Sequence, residues 1–138
     1  AEPMGHFKGQ YHPDASVFLD ARSLVLDVTV RHPTAPSYLR GRLGPLSCAK
    51  AAEREKQSHY AGRFVNSDTQ LLVFAAETFG AIGPDAAKFL QWLGRVAASR
   101  GVSRHVFMRD VRSGIACAVQ RGNAHIVSRA LANANALR

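Results

Sequence analysis

The chain has 138 residues, 46% hydrophobic and 20% charged, and 18 Lys+Arg against 10 Asp+Glu leave a formal net charge of +8. That length suits one domain with a single core, burying roughly two-thirds of the surface its unfolded chain exposes. The composition excludes a disordered or membranous chain, and no apolar run approaches the ~20 residues of a membrane span.

The opening segment, AEPMGHFKGQY, lacks the apolar core of a secretion signal and reads as coil, with the cut end of a longer polypeptide as an equal alternative. ASVFL (15–19) predicts a strand, DARS (20–23) a turn, and LVLDVTV (24–30) a second strand. A loop rich in Pro, Gly and Arg follows (31–45). From Leu46 to about Phe64 the spacing becomes helical, and TQLLVFAAE (69–77) predicts a third, buried strand.

Pro84 and Asp85 suit the first turn of a helix whose face carries Leu90, Leu93 and Ala97 and which Gly101 ends. A further helix aligns Val111, Ile115 and Val119, and a short last one starts at Asn123 as N-cap. The order β-β-α-β-α-α-α predicts a single α/β or α+β domain with a small mixed sheet. Trp92 and Phe89 read as core anchors. Cys48 and Cys117 have no metal-type spacing and read as reduced, buried thiols of an intracellular protein.

Two acids stand where a strand core should be dry. With DARS as the turn, Leu19 pairs near Leu24 and Asp27 falls opposite Ser16, so Asp14 shares a face with Asp27 as a diagonal neighbour, ~7–8 Å away at Cα. Two carboxylates that close repel and are costly to desolvate, and a divalent cation removes both penalties. Mg²⁺ typically takes one or two carboxylates plus waters and phosphate oxygens. The structural alternatives are a strand-entry role for Asp14 and an arginine partner for Asp27.

Steps of three and four along the helix from Leu46 give an inward stripe of Ala49, Ala52, Lys56, Tyr60 and Phe64. The small alanines let the helix approach the sheet, carrying Lys56 towards it; snorkelling to solvent is the alternative. An ammonium beside paired acids is what metal-assisted phosphodiester cleavage uses to position water and offset transition-state charge. Arg31, Arg40 and Arg42 in the long loop, and Arg104, Arg109 and Arg112 on the later helix, are candidate phosphate contacts. The arginine-rich charge excess attracts polyanions through counterion release.

PD followed after twelve residues by the Asp27 of LDVTV resembles the PD-(D/E)xK motif of restriction-endonuclease-like nucleases, with Thr29 where the in-strand lysine usually stands. Lys56 and Tyr60, as KxxxY on the next helix, resemble the displaced lysine and tyrosine of the restriction-like endonuclease domain of site-specific non-LTR retrotransposon polyproteins. The phrases LDVTVRHPTAPSYL, AAEREKQSHYAGRF, VFAAETFGAIGPDAAKFL and ACAVQRGNAHIV extend that resemblance over residues 12 to 128.

It implies an α/β restriction-endonuclease-like core, with extra C-terminal helices, closing a longer polyprotein. It implies an Mg²⁺-dependent DNA endonuclease, with Mn²⁺ as a substitute, that nicks target DNA in the nucleus for target-primed reverse transcription. Asp14, Asp27 and the Val28 backbone carbonyl would be metal ligands, Lys56 the catalytic lysine, and Tyr60 a support near the scissile phosphate. Glu77 closes the third strand near the site, with capping of the next turn as its alternative role. The implied partners are double-stranded DNA, retroelement RNA through the rest of the polyprotein and a second copy of the chain, with no membrane. The competing functions are an inactive nuclease fold used for DNA binding or assembly, and a structure-selective junction resolvase. The family's helix and strand ahead of PD have only about eleven residues here in which to fit.

Overall fold

The computed structural model describes residues 13–35, 44–63 and 68–136. Within them the chain is a mixed α/β fold: β1 (Ala15–Leu19), β2 (Arg22–Arg31), α1 (Ser47–His59), β3 (Thr69–Glu77), α2 (Pro84–Ser99) and α3 (Arg104–Ala136). The strands form one sheet in the order β1-β2-β3, antiparallel between β1 and β2 and parallel between β2 and β3. The parallel pair needs a crossover, and α1 lies within it. Among the described residues, no helix is long and apolar enough to cross a membrane.

The hairpin corrects the predicted turn. Its loop is two residues, Asp20 and Ala21, both left-handed at φ 49° and 58°, and Arg22 and Ser23 already belong to the ladder. Two left-handed residues make the tight turn whose twist matches the flanking strands. Ser23 is also tied into the sheet through its Oγ, 3.1 Å from Oγ1 of Thr69. Leu19 therefore pairs with Arg22, and Ser16 with Val25 instead of Asp27. The ladder ends at Ala15, opposite Leu26; the Asp14 N–H also donates to the Leu26 carbonyl, at 2.9 Å, so Asp14 breaks the register at the strand's start, beside Asp27.

Alternation divides the core between the two faces of the sheet. On one face, Val73 and Ala75 pack against Ala49 and Ala52 of α1, and these four are at most 1% exposed. Alanine pairs let the helix axis approach the strands, so side chains further along α1 reach the sheet. On the other face, Leu24, Leu26, Leu72 and Phe74 meet Phe89 and Leu90 of α2 and Val111 and Ile115 of α3. Phe89 is buried and Trp92 half-buried, their ring centroids 5.8 Å apart, so both serve the core as expected.

Neither α1 nor α2 has an N-cap side chain. Leu46 precedes α1 at φ 60° and Gly83 precedes α2, and neither residue supplies a capping acceptor. Buried glutamates from other elements do so instead. Glu77 accepts the Ala49 N–H at 3.2 Å, and Glu53 accepts the Asp85 N–H at 2.9 Å. Each places a negative charge at the positive end of a helix dipole.

Helix α2 ends as predicted. With Gly101 at φ 84°, the Val102 N–H reaches the Ala97 carbonyl and the Gly101 N–H reaches the Ala98 carbonyl, a Schellman pair. The last two predicted helices are instead one 33-residue helix, running straight through Gly122 and Asn123. Asn123 is no N-cap; its Nδ2 donates to the Thr78 carbonyl at 2.9 Å, tying α3 to the end of β3. That long-range bond, together with the packing of Val111, Ile115 and the buried Val119, offsets the ~1 kcal/mol a mid-helix glycine costs. Between α3 and the sheet lies an apolar groove of ≈ 660 Å³, lined in part by Val28, Val30, Ile115 and Ile126.

The two cysteines are free thiols, but only Cys48 is buried; Cys117 is exposed on α3, correcting the expectation for it. It lies on the solvent side of the helix, away from the stripe that faces the sheet.

Candidate functional site

Asp27 occupies the middle of β2 and is 3% exposed. As an odd-numbered residue it faces α1, and the stripe predicted there holds as far as the described residues extend. Ala49 and Ala52 are buried against the sheet, Lys56 is half-buried, and Tyr60 is 5% exposed just past the last turn; Phe64 lies outside the described residues. The Tyr60 hydroxyl donates to Oδ2 of Asp27 at 2.7 Å. Lys56 Nζ lies 3.0 Å from Oδ1 and 3.2 Å from Oδ2 of the same carboxylate. The partner of this buried acid is thus the helix lysine and tyrosine, not the arginine weighed as the structural alternative.

Asp14 stands just ahead of β1, and its Oδ2 accepts the Val28 N–H at 2.6 Å. The side chain continues the hairpin ladder by one acceptor where the β1 backbone has ended. Because the N–H and C=O of one strand residue leave the chain on the same side, the Val28 carbonyl points to the same side of β2 as Asp14. The Val28 side chain goes the other way, 47% exposed, along the apolar groove.

Burial raises the Tyr60 phenol to about 12, helped by its hydrogen bond to Asp27 and by the charges of Asp27 and Asp14, with Arg63 pulling the other way. Tyr60 thus sits within the fields of both carboxylates, which places Asp14, Asp27, Lys56 and Tyr60 in one locality. Arg63, three residues after Tyr60, is a site residue that sequence reasoning passed over; its position in YAGRF, directly behind KxxxY, was the available signal. His59 lies edge-on to Tyr60 with ring centroids 5.6 Å apart.

The remaining candidates are not gathered here. Glu77 pairs in register with Arg31, four residues along from Asp27, or about 13 Å at strand rise. It caps α1 through Ala49 rather than the turn that follows it. Arg31 donates to Glu55 at 3.0 Å and to Thr29 Oγ1 at 3.2 Å. Arg104, Arg109 and Arg112 belong to α3, which packs on the opposite face of the sheet, and Arg109 bonds its neighbour Asp110 at 2.8 Å. Arg40 and Arg42 lie outside the described residues.

Chemically, the locality offers two carboxylates and a strand-edge carbonyl as oxygen donors, an ammonium, and a hydroxyl. Among the described residues no group of three or more His, Cys, Asp or Glu side chains is placed to hold a metal ion. Two carboxylates with a carbonyl fit a hard cation that keeps several waters and takes its remaining ligands from a phosphate, as Mg²⁺ does. They do not make a closed, all-protein cage. Comparison with protein-family models, characterised proteins and solved structures yields no match for this chain.

Proposed function

We propose that the chain is a metal-dependent DNA endonuclease domain with a restriction-endonuclease-like core, nicking target DNA so that the freed 3′-hydroxyl primes reverse transcription. The observation that carries this reading is the meeting of Asp27, Lys56 and Tyr60 in one hydrogen-bonded group, with Asp14 across the hairpin. An isolated strand aspartate has structural explanations. A strand aspartate that meets both residues of a KxxxY pattern, with the acid of PD bonded to the next residue along the strand, supports the reading.

Asp14, Asp27 and the Val28 carbonyl would hold an Mg²⁺ ion, with Mn²⁺ as a substitute. When bound, the ion polarises the scissile phosphate and activates water. Lys56 would orient the attacking water and offset negative charge developing on the phosphate. Tyr60, through its bond to Oδ2, holds Asp27 in one rotamer and leaves Oδ1 facing the ammonium. The net charge of +8 favours a polyanionic substrate, and the exposed Arg63 lies on the same side of the sheet as these groups.

The test is nicking of supercoiled plasmid with Mg²⁺, Mn²⁺ or EDTA, comparing the parent with Asp27→Ala. Metal-dependent nicking that the variant lacks, with its circular dichroism unchanged, is expected; equal rates would sink the assignment. One observation favours a second reading, a DNA-binding module without catalysis: Asp27 already has donors at both oxygens and needs no metal to be satisfied. Salt-sensitive DNA binding without nicking under any metal would select it.

A further inference from the structure

We propose that Lys56 is a displaceable counter-cation at Asp27, so that a divalent metal and the Lys56 ammonium compete for one carboxylate and metal binding releases the lysine towards the substrate. The inference rests on the metal-dependent reading above and adds an order of events to it.

Its basis is how the Asp27 oxygens are occupied. Lys56 Nζ contacts both, at 3.0 and 3.2 Å, while the Tyr60 hydroxyl takes only Oδ2. Whichever oxygen a metal took, it would meet the ammonium already there, and two cations crowding one carboxylate repel. The metal can leave the Tyr60 bond intact, so the carboxylate keeps its orientation during the exchange. Burial is unequal across the pair: the Asp27 side chain is 4% exposed and that of Lys56 30%. The acid is fixed in the sheet, whereas the ammonium reaches it on a flexible four-carbon stem from the solvent side.

Charge points the same way. Asp14 and Asp27 together carry two negative charges, of which Lys56 neutralises one. A divalent ion added with Lys56 in place would bring like charges together within a few ångströms, while exchange leaves the carboxylates neutralised. The departing ammonium would stay near the carboxylates, free to pair with an incoming phosphate. Lys56 thus passes from carboxylate to phosphate, and it is free to do so only after metal has bound.

Two experiments without DNA test this. In the first, Mn²⁺ binding is measured by calorimetry for the parent, Lys56→Met, Asp27→Asn and the double variant. Lys56→Met should bind about tenfold more tightly or better, the scale of removing one like charge at a half-exposed site, and Asp27→Asn should cancel the gain. In the second, amine-acylation footprinting of the unaltered protein is read by mass spectrometry, which removes any dependence on whether a variant folds. Labelling of Lys56 should rise with added Mg²⁺ while that of Lys50 and Lys88, exposed elsewhere, stays constant. Asp27-dependent Mn²⁺ binding that is equal or weaker in a folded Lys56→Met, or Lys56 labelling indifferent to Mg²⁺, overturns the exchange and leaves the endonuclease reading standing. Mn²⁺ binding that ignores Asp27 altogether overturns both.

Discussion

Glu53 reaches from the middle of α1 to the first turn of α2, where its Oε1 accepts the backbone N–H of Asp85 at 2.9 Å. Burial holds the Glu53 carboxyl above its ordinary range; N–H bonds from Asp85 and Ala86 and the charge of Lys88 draw it back, while the charge of Asp85 adds to the rise. A carboxyl raised in the folded state contributes stability that is fully present below its unfolded value, 4.5, and is lost as pH rises through the folded one. Glu53→Gln stays uncharged across that window. The melting temperature of the variant relative to the parent should therefore be higher at pH 7 than at pH 4, and thermal melts across that range measure it.

Gly83 sits beneath the same carboxylate. A Cβ at this position would run into Glu53 Oε1 and Cδ and touch Ala75 Cβ at 3.4 Å. The Glu53 side chain can yield only by leaving the Asp85 N–H. Gly83→Ala should cost about 1–2 kcal/mol, the scale of a lost helix cap, measured by urea unfolding. Adding the substitution to Glu53→Ala should cost less than making it alone, because the obstruction has gone.

Tyr60 gives an alkaline signature. Its phenol, raised from 10.0 to about 12, contributes stability that is complete below pH 10 and lost as pH rises through about 12. Phenolate absorbance should show a transition near 12 that Tyr60→Phe removes. The stability of the variant should also fall less steeply than that of the parent over the same interval.

Asp14 separates structure from chemistry. Asparagine keeps an oxygen that can accept the Val28 N–H but loses the charge a metal needs. Asp14→Asn should melt with the parent and lose metal-dependent nicking, whereas Asp14→Ala should also lose about 0.5–1.5 kcal/mol of stability. Thermal melts and plasmid nicking of the two variants, run side by side, distinguish these effects.

Much of this arrangement was legible in local pattern. The β-branched runs marked the strands, with β1 and β3 matching their predicted limits and β2 longer by two residues at its start and one at its end. Alanines three apart marked the buried face of α1, and the same steps put Lys56 and Tyr60 on the side of Asp27. The hairpin register was not legible, because it depends on Ala21 adopting a left-handed backbone that its side chain disfavours. The continuity of α3 was hidden for a different reason. Gly122 and Asn123 carry local stop and start signals, and the bond from Asn123 to Thr78 that overrides them spans 45 residues. The role of Glu77 was hidden likewise, since the Ala49 N–H it caps lies 28 residues upstream.

The two borrowed caps make the first two helices dependent on the rest of the chain. Helix α1 is completed by an acid at the end of β3, and α2 by an acid on α1, so neither element carries its own beginning. A peptide of 13 or 16 residues with an uncapped start is marginal as an isolated helix. Ordering should therefore be shared: α1, the third strand and the next helix gain their definition together, in one cooperative step. The Asp27 locality lies inside that unit, so it should stay intact until the domain unfolds as a whole.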